Sequence, residues 1–188
     1  MRICLVLAFA AIAAMPISAE TEAPAVNDVT VRPPDTGHAP TPAHPFGRRN
    51  PAAPEQLEQF AFMIGEFDCV DEIRQPDGSV LRFSAIWNAR YFLNGHGIQD
   101  EYWTPQFSTS NIRIFDPQAG VWKVTFFRMP GYQSGVWEGR QEDGKMVMRQ
   151  GGKTQGPGLT FHNIRDDGFD WHSGGDDPAW TSSCRRRR

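Results

Sequence analysis

The sequence predicts an all-β protein, built as a closed, antiparallel, up-and-down barrel of eight to ten strands. Strand-like runs follow one another along residues 66–173, and turns rich in Gly, Asp and Pro separate them at a spacing of about 8–12 residues. Helical periodicity is absent from this stretch, so no helices are expected to cover the sheet. Such a sheet must protect its edge strands, and closure into a barrel does so. A β-sandwich is the alternative.

Residues 1–19 have the pattern of a secretory signal peptide. Arg2 precedes an apolar run of about 13 residues, and small residues around Ala19 form a cleavage motif. The run is shorter than the roughly 20 residues that a membrane-spanning helix needs, and no later segment is long and apolar enough to be transmembrane. We therefore expect a soluble, exported protein that is periplasmic or secreted.

Residues 20–54 are predicted to form a disordered linker. Pro, Ala, Thr and charged residues dominate this segment, and few apolar groups are available to offset the entropy of ordering it. The remaining residues, 55–188, have a normal length for one folded domain.

A short helix is expected where the domain begins. Pro54 and Glu55 suit the first turn of a helix. Leu57 and Phe60 then fall on one apolar stripe, and Gly65 marks the break before the first strand.

The strands after this helix form hairpins with glycine-containing turns, as tight hairpins require. Within a strand, alternation separates the interior from the surface. Lys123, Thr125 and His162 are assigned to the surface. The residues assigned to the interior are Ile112, Ile114, Trp122, Val124, Phe126, Arg128, Leu159, Phe161, Phe169 and Trp171.

The segment "LNGHGIQDEYW" contains the polar residues of greatest interest. Ile98, Asp100 and Tyr102 share one face of a strand, so Asp100 faces the interior if its neighbours do. A buried carboxylate needs a partner, and Arg128 is the expected one, either as a structural ion pair or as part of a polar anchor for a ligand. His96 lies at the tip of the hairpin, where it is either solvated or an acid–base group at the rim of a cavity.

Two cysteines remain after the signal peptide, Cys69 in the first strand and Cys184 in the last. The first and last strands of a closed up-and-down barrel are neighbours, and exported proteins form disulfides. A Cys69–Cys184 bridge across this seam is therefore expected, with two free thiols as the alternative.

Four segments in this order resemble the DUF1579-type domains, which are similar to lipocalin-like (calycin) barrels: "FMIGEFDC", "FLNGHGIQDEYW", "IFDPQAGVWKVTF" and "FDWHS". The resemblance covers residues 57–173. Phe67 stands where relatives usually have Trp, and of their C-terminal turn motif only Trp180 is retained. The likeness implies a cavity for a small apolar molecule. Related haem barrels need an inward histidine, whereas His172 should point outward.

Composition and motifs exclude several functional classes. The formal net charge of −3 and the lack of a basic face argue against nucleic-acid binding. We find no spacing typical of a metal site, no nucleotide-binding loop and no cofactor signature. The one charge run, residues 185–188, is expected to be a solvated tail, with an anionic surface or a protein partner as the alternative.

The leading functional hypothesis is binding of a small, largely apolar molecule in the barrel. The alternatives are a barrel filled by its own side chains, acting as an interaction module, and a hydrolase- or isomerase-like enzyme with His96 and Asp100 at the rim. The chain is expected to be a monomer or a homodimer. The candidate ligand-binding residues are Trp87, His96, Asp100, Tyr102, Trp122, Phe126, Arg128, Phe161 and Trp171.

Overall fold

The computed structural model describes residues 37–151, 158–175 and 177–188. These residues contain ten β-strands and one 3-10 helix. The predicted signal peptide lies outside these residues. No helix within them has the length and apolar character needed to cross a membrane. The elements are the 3-10 helix (Glu55–Met63), β1 (Gly65–Arg74), β2 (Val80–Phe92), β3 (Gly97–Trp103), β4 (Ser108–Asp116), β5 (Val121–Met129), β6 (Gln133–Glu142), β7 (Lys145–Gln150), β8 (Gly158–Arg165), β9 (Gly168–Ser173) and β10 (Trp180–Arg186).

The strands close into one antiparallel barrel. Each strand pairs with the next along the chain, and β10 returns to pair with β1. The predicted up-and-down barrel is therefore confirmed and the sandwich alternative is wrong. The predicted N-terminal helix is a 3-10 helix.

A disulfide joins the two strands of the seam. Cys69 and Cys184 are directly opposite each other in the β1–β10 register, and their sulfur atoms are bonded. Both side chains are buried on the inner face of the barrel. The expected bridge is thus present, and it encloses a separation of 115 residues.

The 3-10 helix closes one end of the barrel with apolar side chains. Leu57, Phe60 and Met63 are buried. The Phe60 ring lies 4.7 Å from the Trp122 ring, centroid to centroid, in an edge-on arrangement. The indole nitrogen of Trp122 donates a hydrogen bond of 2.9 Å to the Gln59 side chain. This end, where β1 and β5 begin, is therefore filled.

Part of the predicted linker is ordered. Residues 37–54 pack against the β2–β3 hairpin, where the Tyr91 amide donates to the Phe46 carbonyl at 2.9 Å and the Asn50 amide donates to the Gly95 carbonyl at 3.1 Å. A side chain at Gly95 would lie 2.4 Å from a backbone oxygen of this segment, so the close approach requires glycine. Residues 37–54 are part of the segment 20–54 that was predicted to be a disordered linker, and here their backbone pairs with that of the hairpin.

Two of the four C-terminal arginines, Arg186 and Arg187, contact the closed end of the barrel, so these two do not belong to a free tail, although all four side chains are exposed. The Arg186 guanidinium lies 4.6 Å from the centroid of the Phe67 ring and donates to the Ile64 carbonyl at 2.7 Å. Arg187 forms an ion pair with Asp68 at 2.7 Å. These contacts tie β10 to the junction between the 3-10 helix and β1.

Removal of the seam disulfide should lower stability considerably. A bridge across about 115 residues contributes up to about 4–5 kcal/mol in the chain-entropy model. We expect the double variant Cys69→Ala/Cys184→Ala to lose at least about 2 kcal/mol of unfolding free energy, measured by urea denaturation. Wild-type protein under reducing conditions should lose a similar amount, and a change below about 0.5 kcal/mol in both samples would contradict this prediction.

Candidate functional site

A cavity of about 180 Å³ occupies the half of the barrel away from the 3-10 helix. Thr109, Arg128, Ser173 and Trp180 line it and lie near the strand ends at the far side of the barrel, so they mark its mouth. The ring of Phe161 lies 5.8 Å from that of Phe60 and marks its floor. The aromatic side chains of the wall are Trp87, Tyr102, Phe107, Phe126, Trp137, Phe161, Trp171 and Trp180.

Six of the nine candidate residues line this cavity: Trp87, Tyr102, Phe126, Arg128, Phe161 and Trp171.

The other three candidates lie elsewhere. Trp122 is buried beneath the 3-10 helix, and Asp100 is buried without lining the cavity. His96 is exposed in the β2–β3 turn at the closed end of the barrel. The structure therefore gives His96 no place at the rim of the cavity, and it does not combine His96 and Asp100 in one open site.

Strand β4 faces the opposite way from the prediction. Ile112 and Ile114 were expected inside, but Ile114 is exposed, whereas Arg113 is buried and lines the cavity. The cause is the register, in which Arg113 lies opposite Val124. Directly paired residues share a face, so an inward Val124 brings Arg113 inward. The alternation of apolar residues predicted the wrong face because most of the side chains that β4 directs into the barrel are polar.

Arg113 and Asp100 form a buried ion pair near the cavity floor. Nη1 of Arg113 contacts Oδ2 of Asp100, and the side-chain amide of Asn111 donates to Oδ1 of Asp100 at 2.9 Å. The predicted Asp100–Arg128 pair is therefore wrong. The guanidinium also lies 5.3 Å from the Phe60 ring centroid. Burial lowers the pKa of Arg113 to about 9, so the side chain keeps its charge at neutral pH.

Arg128 lies at the mouth of the cavity. Its guanidinium is 4.4 Å from the centroid of the Phe107 ring, within the range of a cation–π contact. The side chain is half-buried and lines the cavity. A positive charge therefore lies beside the entrance.

A second carboxylate, that of Asp71, is also buried, and it was not among the residues predicted to face the interior. Its Oδ1 accepts a hydrogen bond of 2.5 Å from the Tyr102 hydroxyl, and its Oδ2 accepts one of 3.0 Å from the Trp180 indole. Burial raises the pKa of Asp71, and burial together with the nearby Asp71 raises the pKa of Tyr102. The sequence does contain a signal for its inward orientation. Asp71 follows Phe67 and Cys69 at alternate positions of β1, and all three side chains face inward.

Apart from Nη1 of Arg113, which contacts Asp100, three buried N–H groups of residues that line the cavity have no hydrogen-bond acceptor within the described part of the chain. They are the indole nitrogens of Trp87 and Trp171 and Nε of Arg113. A buried donor without an acceptor is unfavourable by about 1–3 kcal/mol. These three donors have almost no accessible surface, so they lie between packed side chains and not at the surface of the cavity.

The histidines of the last strands lie on the outer surface. The rings of His162 and His172 are 5.0 Å apart, and both line a groove outside the barrel. His172 therefore points away from the cavity, as alternation predicts. Burial lowers the pKa of His172, and the nearby His162 and Lys145 lower it further.

Comparisons with known proteins place no further constraint on this site. No family model matches the chain, and no curated protein matches its sequence. Fold and site together define an all-β, ten-stranded closed barrel with an aromatic internal cavity. The resemblance to DUF1579-type domains stays a prediction.

Breaking the buried ion pair should destabilise the barrel strongly. In Asp100→Asn the guanidinium of Arg113 loses its counter-charge in the interior, and such losses cost about 3–5 kcal/mol. We expect the double variant Asp100→Asn/Arg113→Met to be more stable than Asp100→Asn alone, since it removes both charges. Urea denaturation of the double-mutant cycle measures this.

The matched control is an exposed pair between β5 and β6, Lys123–Glu138. Glu138→Gln should change the unfolding free energy by less than about 1 kcal/mol. Equal losses in Asp100→Asn and Glu138→Gln would contradict the assignment of Asp100–Arg113 as the pair on which the interior depends.

Asp71 should make stability depend on pH in a defined direction. Its pKa in the folded state is raised above the ordinary value of 3.8, so the folded protein binds the proton more tightly than the unfolded chain. This stabilisation is complete below pH 3.8 and is lost as pH rises through the folded-state pKa. Relative to wild type, Asp71→Asn should therefore gain stability as pH rises from about 3.5 to 7.

Urea denaturation across this pH range tests the prediction. Asp143→Asn, which changes an exposed carboxylate in the β6–β7 turn, is the control for the general effect of removing one negative charge. A stability difference between Asp71→Asn and wild type that stays constant with pH, or that follows the control, would show that Asp71 does not titrate in this way.

Proposed function

We propose that this protein is an exported, lipocalin-like binding protein that holds a small, largely apolar molecule in its barrel. The observation that carries this proposal is the aromatic cavity at the open half of the barrel. Ligand sites are typically concave and mostly apolar, with a few polar groups that orient the ligand. Arg113 and Arg128 are the charged residues of the wall, and Thr109, Asn111 and Ser173 are further polar ones.

The size of the cavity limits the ligand to a small molecule. Its volume is about 180 Å³, while an engineered protein cavity of about 150 Å³ accommodates benzene. A ligand of one or two rings therefore fits without enlarging the barrel. The rings of Trp87 and Tyr102 pack against each other in a tilted arrangement, with their centroids 5.4 Å apart, and offer aromatic surface to such a ring.

The same geometry favours binding over the two alternative functions. A barrel filled throughout by its own side chains would leave no space, whereas here filling is confined to the half beneath the 3-10 helix. An enzyme that uses His96 and Asp100 needs both at one site. His96 is exposed at the closed end, and Asp100 is engaged by Arg113 and Asn111.

Two features support export. Residues 1–19 carry the signal-peptide pattern. The Cys69–Cys184 disulfide suits an oxidising compartment such as the periplasm or the extracellular space. The lipocalin-like relationship rests on the segments that resemble DUF1579-type domains and on the closed up-and-down topology.

Filling the cavity should abolish binding of an apolar probe. Thr109 lines the cavity from β4, while its neighbour Ser110 faces the other side of the strand. We expect wild-type protein to bind toluene in isothermal titration calorimetry. Thr109→Phe should weaken this binding by at least about tenfold, because the new ring occupies the space of the ligand.

Ser110→Phe is the matched control, since it adds the same ring to the outer face of the same strand. It should bind toluene as wild type does. If wild-type protein binds neither toluene nor naphthalene, the proposed function is wrong; if both phenylalanine variants bind toluene equally well, the probe occupies another place.

A further inference from the structure

Two histidines on the outer face of the barrel lie close enough to act together. His162 belongs to β8 and His172 to β9. The register places His162 opposite Asp170 and His172 opposite Thr160, so the two histidines are diagonal neighbours on one face of the sheet. Their ring centroids are 5.0 Å apart, and the ring planes are inclined at 50°. The two imidazoles are therefore close neighbours without being stacked.

The two imidazoles are available to an external ligand. Within the part of the chain that the structure describes, neither ring takes part in a hydrogen bond or an ion pair with another side chain. Both side chains are partly exposed and line the same outer groove. The pKa of His172 is lowered by burial and by the nearby His162 and Lys145, so this imidazole is neutral at pH 7, the form that binds metal ions.

The separation of the rings fits a tetrahedral metal ion. Zn²⁺ binds imidazole nitrogens at about 2.0–2.1 Å and favours four ligands in a tetrahedron. Because the centre of an imidazole ring lies roughly 1.2 Å behind the ligating nitrogen, two rings on one Zn²⁺ have their centres about 5 Å apart. The strands thus already hold the rings of His162 and His172 at the separation that the ion needs.

We propose that His162 and His172 together bind a divalent transition-metal ion, with Zn²⁺ as the ion that fits best, on the outer face of the barrel. Imidazole is a common ligand of Zn²⁺ and of the neighbouring first-row metals. The sequence hides this site, because the two histidines are ten positions apart and only the β8–β9 register brings them together. The site is separate from the cavity and goes beyond the binding function proposed for the barrel.

The protein supplies two ligands and leaves the remaining positions of the ion to water or to a further molecule. Among the described residues, no group of three or more His, Cys, Asp or Glu side chains could hold a metal ion. The carboxylate of Asp170, opposite His162, already accepts hydrogen bonds from Asn163 at 2.9 Å and from Ser183 at 2.8 Å. Open positions distinguish reactive zinc sites from closed structural ones, so we expect an exchangeable ion.

The charges of the groove neither exclude a cation nor attract it strongly. The charged residues that line the groove beside the two histidines comprise two acids and two bases: Glu142, Asp143, Lys145 and Arg149. Glu142 and Arg149 form an ion pair with each other at 2.6 Å. The affinity for the ion must therefore come from the two imidazoles, and it should be lost when either is removed.

Calorimetric titration of the mature protein with zinc chloride, after treatment with EDTA, tests the proposal. Wild-type protein should bind one equivalent of Zn²⁺ per chain. His162→Gln and His172→Gln each remove one ligand and keep a polar side chain at a partly exposed position. Loss of a group that only orients a ligand weakens metal binding by about 10–100-fold, so loss of a ligand should weaken it by at least about tenfold.

His44→Gln and His96→Gln are the matched controls, because both change an exposed histidine outside the pair. Each should bind Zn²⁺ as wild type does. Thermal denaturation gives a second measurement: Zn²⁺ should raise the Tm of wild type and of both controls, since an ion that binds the folded state stabilises it. The same melts show whether each variant is folded, and His162→Asn or His172→Asn replaces a glutamine variant that is not.

The outcomes are distinct. Weakened binding in both pair variants and in neither control supports the site. The proposal is wrong if wild-type protein binds no Zn²⁺ at a concentration of about 1 mM, which corresponds to a very weak interaction. It is also wrong if the pair variants bind as wild type does, or if only one of the two is impaired, because the ion then lies elsewhere or uses a single imidazole. None of these results bears on toluene binding in the cavity.

Discussion

Pairing of the first strand with the last is the constraint on which the rest of this structure depends. The register that places Cys69 opposite Cys184 also places Asp71 opposite Ser182 and Phe67 opposite Arg186. At one end of the seam, Arg186 then reaches the Phe67 ring and the 3-10 helix. Toward the other end, Trp180 reaches Asp71. One alignment of two strands therefore organises both the closed end and the wall of the cavity.

The interior is divided into a filled half beneath the 3-10 helix and a half that contains the aromatic-walled cavity, and the buried ion pair lies between them. Phe60 packs on Trp122 and Phe161 on one side. Arg113 and Asn111 line the cavity on the other side, and both contact Asp100, which does not line it. Buried charges of this kind add little net stability but penalise alternative arrangements. Here the pair of Arg113 and Asp100 lies beside the aromatic side chains of both halves, and a rearrangement that separated the two charges would be unfavourable.

The sequence predicted the topology and most of the aromatic wall, but it did not predict the polar interior. Gly-containing turns and strict alternation are local signals, and they sufficed for the closed barrel and for Phe126, Phe161 and Trp171. Which side of β4 faces inward depends on its register with β5, and a register is a property of two strands. The apolar residues Ile112 and Ile114 therefore gave the wrong prediction for this strand. The inward position of Asp71 could have been predicted, because it lies two residues after Cys69 in the same strand. The contacts of residues 37–54 depend on backbone pairing with a hairpin that is distant in the sequence. Amino-acid composition carries no information about such pairing.

The distribution of the indole rings has an optical consequence. Of the six tryptophans in the chain, Trp87, Trp137, Trp171 and Trp180 line the cavity. Indole fluorescence responds to the polarity of its surroundings and to nearby quenching groups. Four of the six indoles therefore belong to the walls that an occupant of the barrel would touch. A bound ligand would change the surroundings of these indoles, so the fluorescence of the protein itself would report binding without an attached dye.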